Sequence, residues 1–296
     1  MTGRPATPRW GIQTGLFQRR NPAFWLFTIL VGYTGLRVLD EQFTMIDKAP
    51  TAWALSWVLL LVYAVPVALA IYKLDLFERE PVTLVAAAIL WGGVVAVGFA
   101  GPTNTAWFEI IAKTLGPDLA RTWGAALVAP PVEELLKVMG VVAIVLIARA
   151  EIDDIFDGFV YGAMVGLGFT LVEDVHYFMR FVSQAGEAAG EIGPVLHGFF
   201  IRVIASGLYG HVLYTGVAGM GVAYFVTHRE LPVPRRLLIA LAAFGAAMAA
   251  HFFWNSPILT AVILGEGSGD PSPIQWILYG AAKGAPFLVF VVMLVR

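Results

Sequence analysis

The 296 residues read as an all-α protein: a polytopic bundle of about eight transmembrane helices with both termini in the cytoplasm. Three observations lead there. Hydrophobic residues make up 58% of the chain and charged residues 14%, with a mean hydropathy of +0.76. Counting Gly and setting Tyr aside gives about 65% apolar, against roughly 45–50% in soluble domains. Long apolar stretches recur between polar or Pro/Gly-bearing connections, each near the roughly 20 residues that a bilayer crossing needs. Lys and Arg gather on alternate connections, the pattern that orients membrane helices. The net charge of −2 supplies no basic field for nucleic acid. The complete lack of Cys removes disulfides, thiolate metal sites and thiol nucleophiles.

Residues 1–21 form a cytoplasmic arm that carries Arg4, Arg9, Arg19 and Arg20 and has no apolar run, so it does not read as a cleavable signal peptide. Residues 22–121 hold the first three spans, Pro22–Leu39, Thr51–Tyr72 and Pro81–Gly101, with their loops. A helical core of catalytic type, residues 122–257, contains Thr122–Ala148, Ile155–Arg180, Val195–Thr227 and Arg236–Ser256. Residues 258–296 are an outer loop and a last span, Ser272–Val295. The cytoplasmic connections then carry eleven basic residues: the four of the arm with Lys73, Arg79, Arg149, Arg229, Arg235, Arg236 and Arg296. The other side carries four: Lys48, Lys113, Arg121 and Arg180. Gly162-xxx-Gly166, Gly168 and the run from Ala242 to Ala250 have the small-residue spacing of closely packed helices.

Ionisable residues inside such stretches cost at least about 2.5–3.5 kcal/mol at mid-bilayer and are functional by default. The richest group is Pro130-Pro131-Val132-Glu133-Glu134-Leu135-Leu136-Lys137. A proline pair fits a helix start better than its middle. The expectation is therefore a helix that restarts at Pro131, with both glutamates in its first turn near the positive end of the dipole. Lys137 follows them at three- and four-residue spacing and can neutralise one. Glu173 and His251 fall in the outer halves of their spans, His211 near the middle of Val195–Thr227, and Asn255 shares the His251 face. Four segments thus bring acids and imidazoles to overlapping depth. Arg37 and Arg202 read as structural ion-pair or snorkelling residues, and Lys283 has no partner assignable from sequence.

One Glu and two His form a ligand set that suits catalytic zinc, which keeps a further position for water. Glu173, His211 and His251 fit that role, with Glu133 or Glu134 as general base and Asn255 as a donor to a developing oxyanion. Gly-x-Ser-x-Gly and His-Glu-x-x-His motifs do not occur. Peptide hydrolysis within the bilayer is the expected reaction.

At these residues the sequence resembles the PrsW family of intramembrane proteases, which is related to the glutamate-type CAAX prenyl proteases. The resemblance rests on Glu133-Glu134-xx-Lys137, on Asp157-Gly158-Phe159-Val160-Tyr161-Gly162 leading to Phe169-xxx-Glu173, on His211, and on His251-xxx-Asn255. It implies proteolysis of membrane-anchored regulatory proteins, such as anti-sigma factors, in the cell membrane, with Glu133, Glu134 and His211 as essential residues. His176 falls outside the pattern, and Asp174 stands where the pattern has asparagine. Two hydrolytic schemes remain, one zinc-assisted and one metal-free with glutamate-activated water as in the CAAX enzymes. A proton- or cation-coupled transporter is the rival reading, because acids and histidines at depth also build ion pathways. A silent scaffold locked by its polar cluster is a third.

Overall fold

The computed structural model describes residues 15–74, 79–205, 210–264 and 271–295. Arg4, Arg9 and Arg296 of the charge count lie outside them, as do residues 206–209 of the sixth expected span. The described residues are helical and contain no strand. In order they form α1 (Pro22–Lys48), α2 (Pro50–Leu74), α3 (Val82–Leu90), α4 (Val97–Thr114), α5 (Pro117–Ile147), α6 (Ile155–Ala185), α7 (Ile192–Phe199), α8 (His211–Thr227), α9 (Val233–Asn255), α10 (Thr260–Ile263) and α11 (Pro273–Val295). A π-helical turn, Trp91–Ala96, joins α3 to α4 without a break, and a second, Phe200–Ile204, extends α7.

Among the described residues, six runs are long and apolar enough to cross a membrane: Pro22–Lys48, Pro50–Lys73, Val82–Thr114, Ile155–Ala185, Val233–Asn255 and Pro273–Met293. The 31-residue α5 is longer than most of these but buries Glu133, Glu134 and Lys137 in its middle. Ile192–Ile204 and His211–Thr227 are shorter apolar helices. Side chains such as Leu36, Val62, Leu238 and Met293 point outward from the bundle, as lipid-facing positions do. The chain is a polytopic helical membrane protein.

Two local expectations are overturned. Pro130 and Pro131 do not start a helix, because α5 runs through them uninterrupted. Each proline removes a backbone donor, but in a bilayer neighbouring helices re-support a proline-bearing helix, and a fully broken one would expose more polar backbone to lipid. Helix α5 is packed against α4, α6 and α9, and Asn255 Nδ2 on α9 donates to Ala125 O at 3.3 Å, about one turn before the pair. Glu133 and Glu134 are thus mid-helix, far from any dipole end. Nor is Val195–Thr227 one element. His211 is the first residue of α8, with Gly210 as N-cap, rather than the centre of a span.

Helix ends follow sequence chemistry. Asn21 caps α1 through Ala23 N at 2.9 Å, and its Nδ2 donates to Leu146 O at 2.9 Å, tying α1 to the end of α5. Asp154 and Asp157 form a reciprocal capping box at the start of α6. Helix α6 is the central element and packs against α8, α2, α3 and α5. Its contact with α8 is made through glycine. A Cβ on Gly158, Gly162 or Gly166 would lie 2.3, 2.2 or 2.2 Å from the carbonyl oxygens of Gly219, Thr215 and His211 respectively. The rungs step four residues along each helix in opposite directions, so α6 and α8 are antiparallel and in backbone contact. Gly166 thereby sets where His211 stands. On the other side, Trp91 Nε1 donates to Leu136 O at 2.9 Å, fixing α5 beside the α3–α4 turn.

Candidate active site

Helices α5, α6, α8 and α9 each send ionisable side chains to one place inside the bundle. From α5, Glu134 and Lys137 are fully buried and Glu133 nearly so. Lys137 Nζ donates to Glu134 Oε1 at 2.7 Å and lies 3.7 Å from Glu133 Oε2, so the three- and four-residue spacing places one ammonium between two carboxylates. The same ammonium bonds to His211 Nδ1 at 2.7 Å and sits 4.3 Å from the Phe169 ring centroid. Its donation makes Nδ1 an acceptor, which leaves the ring proton on Nε2 to donate to Glu173 Oε2 at 3.1 Å. His251 is fixed in the opposite sense. Asn255 Nδ2 donates to its Nε2 at 3.1 Å, and its Nδ1 donates to Glu134 Oε1 at 2.8 Å.

All seven residues singled out from sequence therefore join one network: Glu133, Glu134, Lys137, Glu173, His211, His251 and Asn255. His176 does not join it. Its Nε2 meets Glu41 at 3.2 Å and its Nδ1 bonds to Val172 O, away from the centre. Lys283, which had no partner assignable from sequence, donates to Trp254 O, to Ser256 O at 2.8 Å and to Tyr279 Oη at 2.5 Å, holding the end of α9 on which Asn255 sits.

Sequence reasoning missed three contributors. Asn104, on α4, donates to Glu133 Oε1 at 2.9 Å. Thr215 Oγ1 approaches Glu134 Oε2 at 3.4 Å. Tyr214 stacks on His251 with centroids 5.3 Å apart. The available signals were faint: Asn104 falls in the polar connection expected after Gly101, and Thr215 lies one helical turn after His211.

The site's capacity for a metal can be tested on its own atoms. Glu133, His211 and His251 each offer a donor atom, all within 4.8 Å of one another. Glu133 Oε2 is buried with no hydrogen-bond partner among the described residues, and the neighbouring Asn104 Oδ1 is likewise unpartnered. Four acidic side chains, Glu133, Glu134, Glu173 and Asp174, face two basic ones, Lys137 and Arg202, an excess of acidic groups that suits a divalent ion. The donor types and the charge fit, provided that Lys137 and Asn255 give up their bonds to His211 Nδ1 and His251 Nε2, the two acceptor nitrogens. Glu173, by contrast, already shares its Oε2 between Arg202 and His211.

The profile described as PrsW family intramembrane metalloprotease matches residues 80–295, which include every residue of this network. No curated protein and no solved structure matches the chain. A buried Glu/His cluster assembled from four membrane helices is a setting for hydrolysis inside a bilayer, and the chain belongs to the PrsW family of intramembrane metalloproteases.

Proposed function

We propose that the protein cleaves peptide bonds of membrane-anchored proteins, in particular single-span regulatory proteins of the anti-sigma kind in the cell membrane, at the centre formed by Glu133, His211 and His251. The observation that carries this reading is Glu133 Oε2, buried without a hydrogen bond among the described residues, 3.7 Å from Lys137 Nζ and 4.0 Å from His251 Nε2. An acceptor left bare in such a place is costly unless it serves a water or a cation.

Glu133, His211 and His251 would hold a zinc ion, so Glu133 rather than Glu173 supplies the carboxylate of the ligand set. When bound, the ion supplies Lewis acidity, which makes a substrate carbonyl more electrophilic and a water easier to deprotonate. The protein's own residues do the rest. Glu134 accepts from Lys137 and His251 at once, which suits it to orient the ring rather than to carry protons. Glu173 is the more exposed carboxylate at the edge of the centre; Arg202 and His211 both bond to its Oε2, whereas Glu134 is engaged at both oxygens, so Glu173 Oε1 takes the proton from the attacking water and returns it to the leaving amine. Asn255 Nδ2 and Lys137 Nζ are N–H donors bordering the histidines, and they meet charge that develops on the carbonyl oxygen.

Glu133→Gln tests the reading. Its Oε1 contact with Asn104 survives the change, so the fold is retained while the carboxylate is lost. With purified protein in detergent and a single-span test substrate, cleavage should fall at least about a thousandfold with melting unchanged. Cleavage at the wild-type rate in Glu133→Gln would remove the proposed chemistry.

A further inference from the structure

We propose that Arg202 is a positioning residue for the hydrolytic centre: its guanidinium bridges Glu173 and Asp174 and so fixes Glu173 Oε2 as the acceptor that orients the His211 ring. The inference rests on His211 belonging to the reacting centre, as proposed above, and adds a residue from outside the four helices that supply it.

The geometry is specific. Arg202 Nη2 donates to Glu173 Oε2 at 2.7 Å, and Arg202 Nε donates to Asp174 Oδ1. The oxygen that receives the first bond is the one that receives His211 Nε2 at 3.1 Å. Glu173 Oε2 is thus pinned from two sides, and the imidazole orientation follows from where the guanidinium holds it. The Arg202 plane also lies over the Tyr177 ring, 3.6 Å from its centroid, which removes the freedom a lone side chain would have.

Asp174 explains how a guanidinium can be stationed beside a working carboxylate. It is 1% exposed and faces the other edge of the guanidinium. It supplies a second negative charge, so Glu173 is held without being the only counter-ion. Local backbone supports the arrangement. Arg202 lies in the π-helical turn Phe200–Ile204, and such turns change the direction in which a side chain leaves a helix. A planar fork reaches two adjacent carboxylates at once, which an ammonium cannot do with fixed geometry.

The test uses the full-length protein and the single-span substrate, with Arg202→Met, Arg202→Lys and the double variant Arg202→Met/Asp174→Asn. Arg202→Met should lower kcat about 10–100-fold, the usual effect of losing a group that orients a reacting side chain, with KM within twofold of wild type. Arg202→Lys should lose less and still fall short of wild type. The double variant removes the stranded Asp174 charge and restores melting, yet kcat should stay low because nothing holds Glu173. Recovery of wild-type kcat in the double variant would overturn the proposal, leaving Arg202 as a counter-ion for Asp174, and so would a loss confined to KM. Where the neutral variants fail to fold, Arg202→Lys decides by the same split of kcat from KM. Glu133→Gln distinguishes the two failures: if it too keeps full activity, the placement of the centre is wrong, whatever Arg202 does.

Discussion

Among the described residues, buried carboxylates gather in two places, and the two are neutralised by different means. In the bundle centre, Glu133, Glu134, Glu173 and Asp174 are met by Lys137 and Arg202 and by the rings of His211 and His251. At the start of α3, Glu80 is 6% exposed beside Asp157, with Tyr161 Oη donating to it and no Lys or Arg in contact among the described residues. Burial pushes the Glu80 carboxyl up to about 9, so at neutral pH it carries a proton and hydrogen-bonds Asp157. One cluster is balanced by cations and one by a proton. In the centre, fixed positive charge stands directly beside the carboxylates. A shared proton joins helix ends without introducing charge, which suits a structural site.

Glu134→Gln is expected to show the largest effect on that contrast. Glu134 accepts from Lys137 and His251 and is fully buried, so the amide leaves the Lys137 ammonium without its closest counter-charge. Breaking a buried pair from one side costs about 3–5 kcal/mol. Melting in detergent should therefore drop well below wild type, whereas Glu133→Gln should leave it in place. Equal melting of the two variants would show that Lys137 is held by Glu133 and His211 alone.

Helix spacing provides a smaller effect that separates the clusters. Gly166→Ala brings a Cβ to 2.2 Å from His211 O, backbone that cannot swing aside, so α8 must move at the central site. Overpacking of this kind costs about 1–3 kcal/mol and should reduce cleavage together with stability. Gly245→Ala, at a position with nothing within 4 Å of its Cβ, is the control and should match wild type. A Gly166→Ala variant with full activity would mean that the α6–α8 register does not set the His211 position.

The residue types of the centre were legible in the sequence because a bilayer makes polar side chains conspicuous: Glu133, Glu134, Lys137, Glu173, His211, His251 and Asn255 are few among long apolar runs, and all converge. The helical bundle was legible for the same reason. What stayed hidden depends on relations between helices. Pro130 and Pro131 signal a break locally, yet α5 continues through them, packed against α4, α6 and α9. Glu133 and Glu173 have the same chemistry, and only the packing shows that Glu173 is paired with Arg202 while Glu133 Oε2 is buried without a hydrogen bond. Asn104 lies in a stretch that reads as connection after Gly101, but α4 continues to Thr114 and delivers it to Glu133. Lys283 looked unpartnered because two of its three acceptors are main-chain carbonyls, Trp254 O and Ser256 O, which no side-chain pattern announces, and the third is the uncharged Tyr279 hydroxyl.

The proton-balanced cluster makes the smallest and most specific prediction. A carboxyl whose pKa is raised by folding binds its proton more tightly folded than unfolded, so the sign of its pH dependence is fixed. Its contribution is fully present below about 4.5, the ordinary value, and is lost as pH rises through about 9, because ionising Glu80 places an unpaired charge beside Asp157. Wild-type melting should decline between pH 6 and pH 9 through this group. Glu80→Gln replaces the protonated carboxyl with an uncharged group of the same shape that can still accept from Tyr161 and donate to Asp157. The variant should melt near wild type at pH 6 and above it at pH 9, with the difference widening as pH rises. Lower melting than wild type at pH 9 would show that Glu80 is held as an anion, and the two clusters would then differ in location rather than in how their charge is balanced.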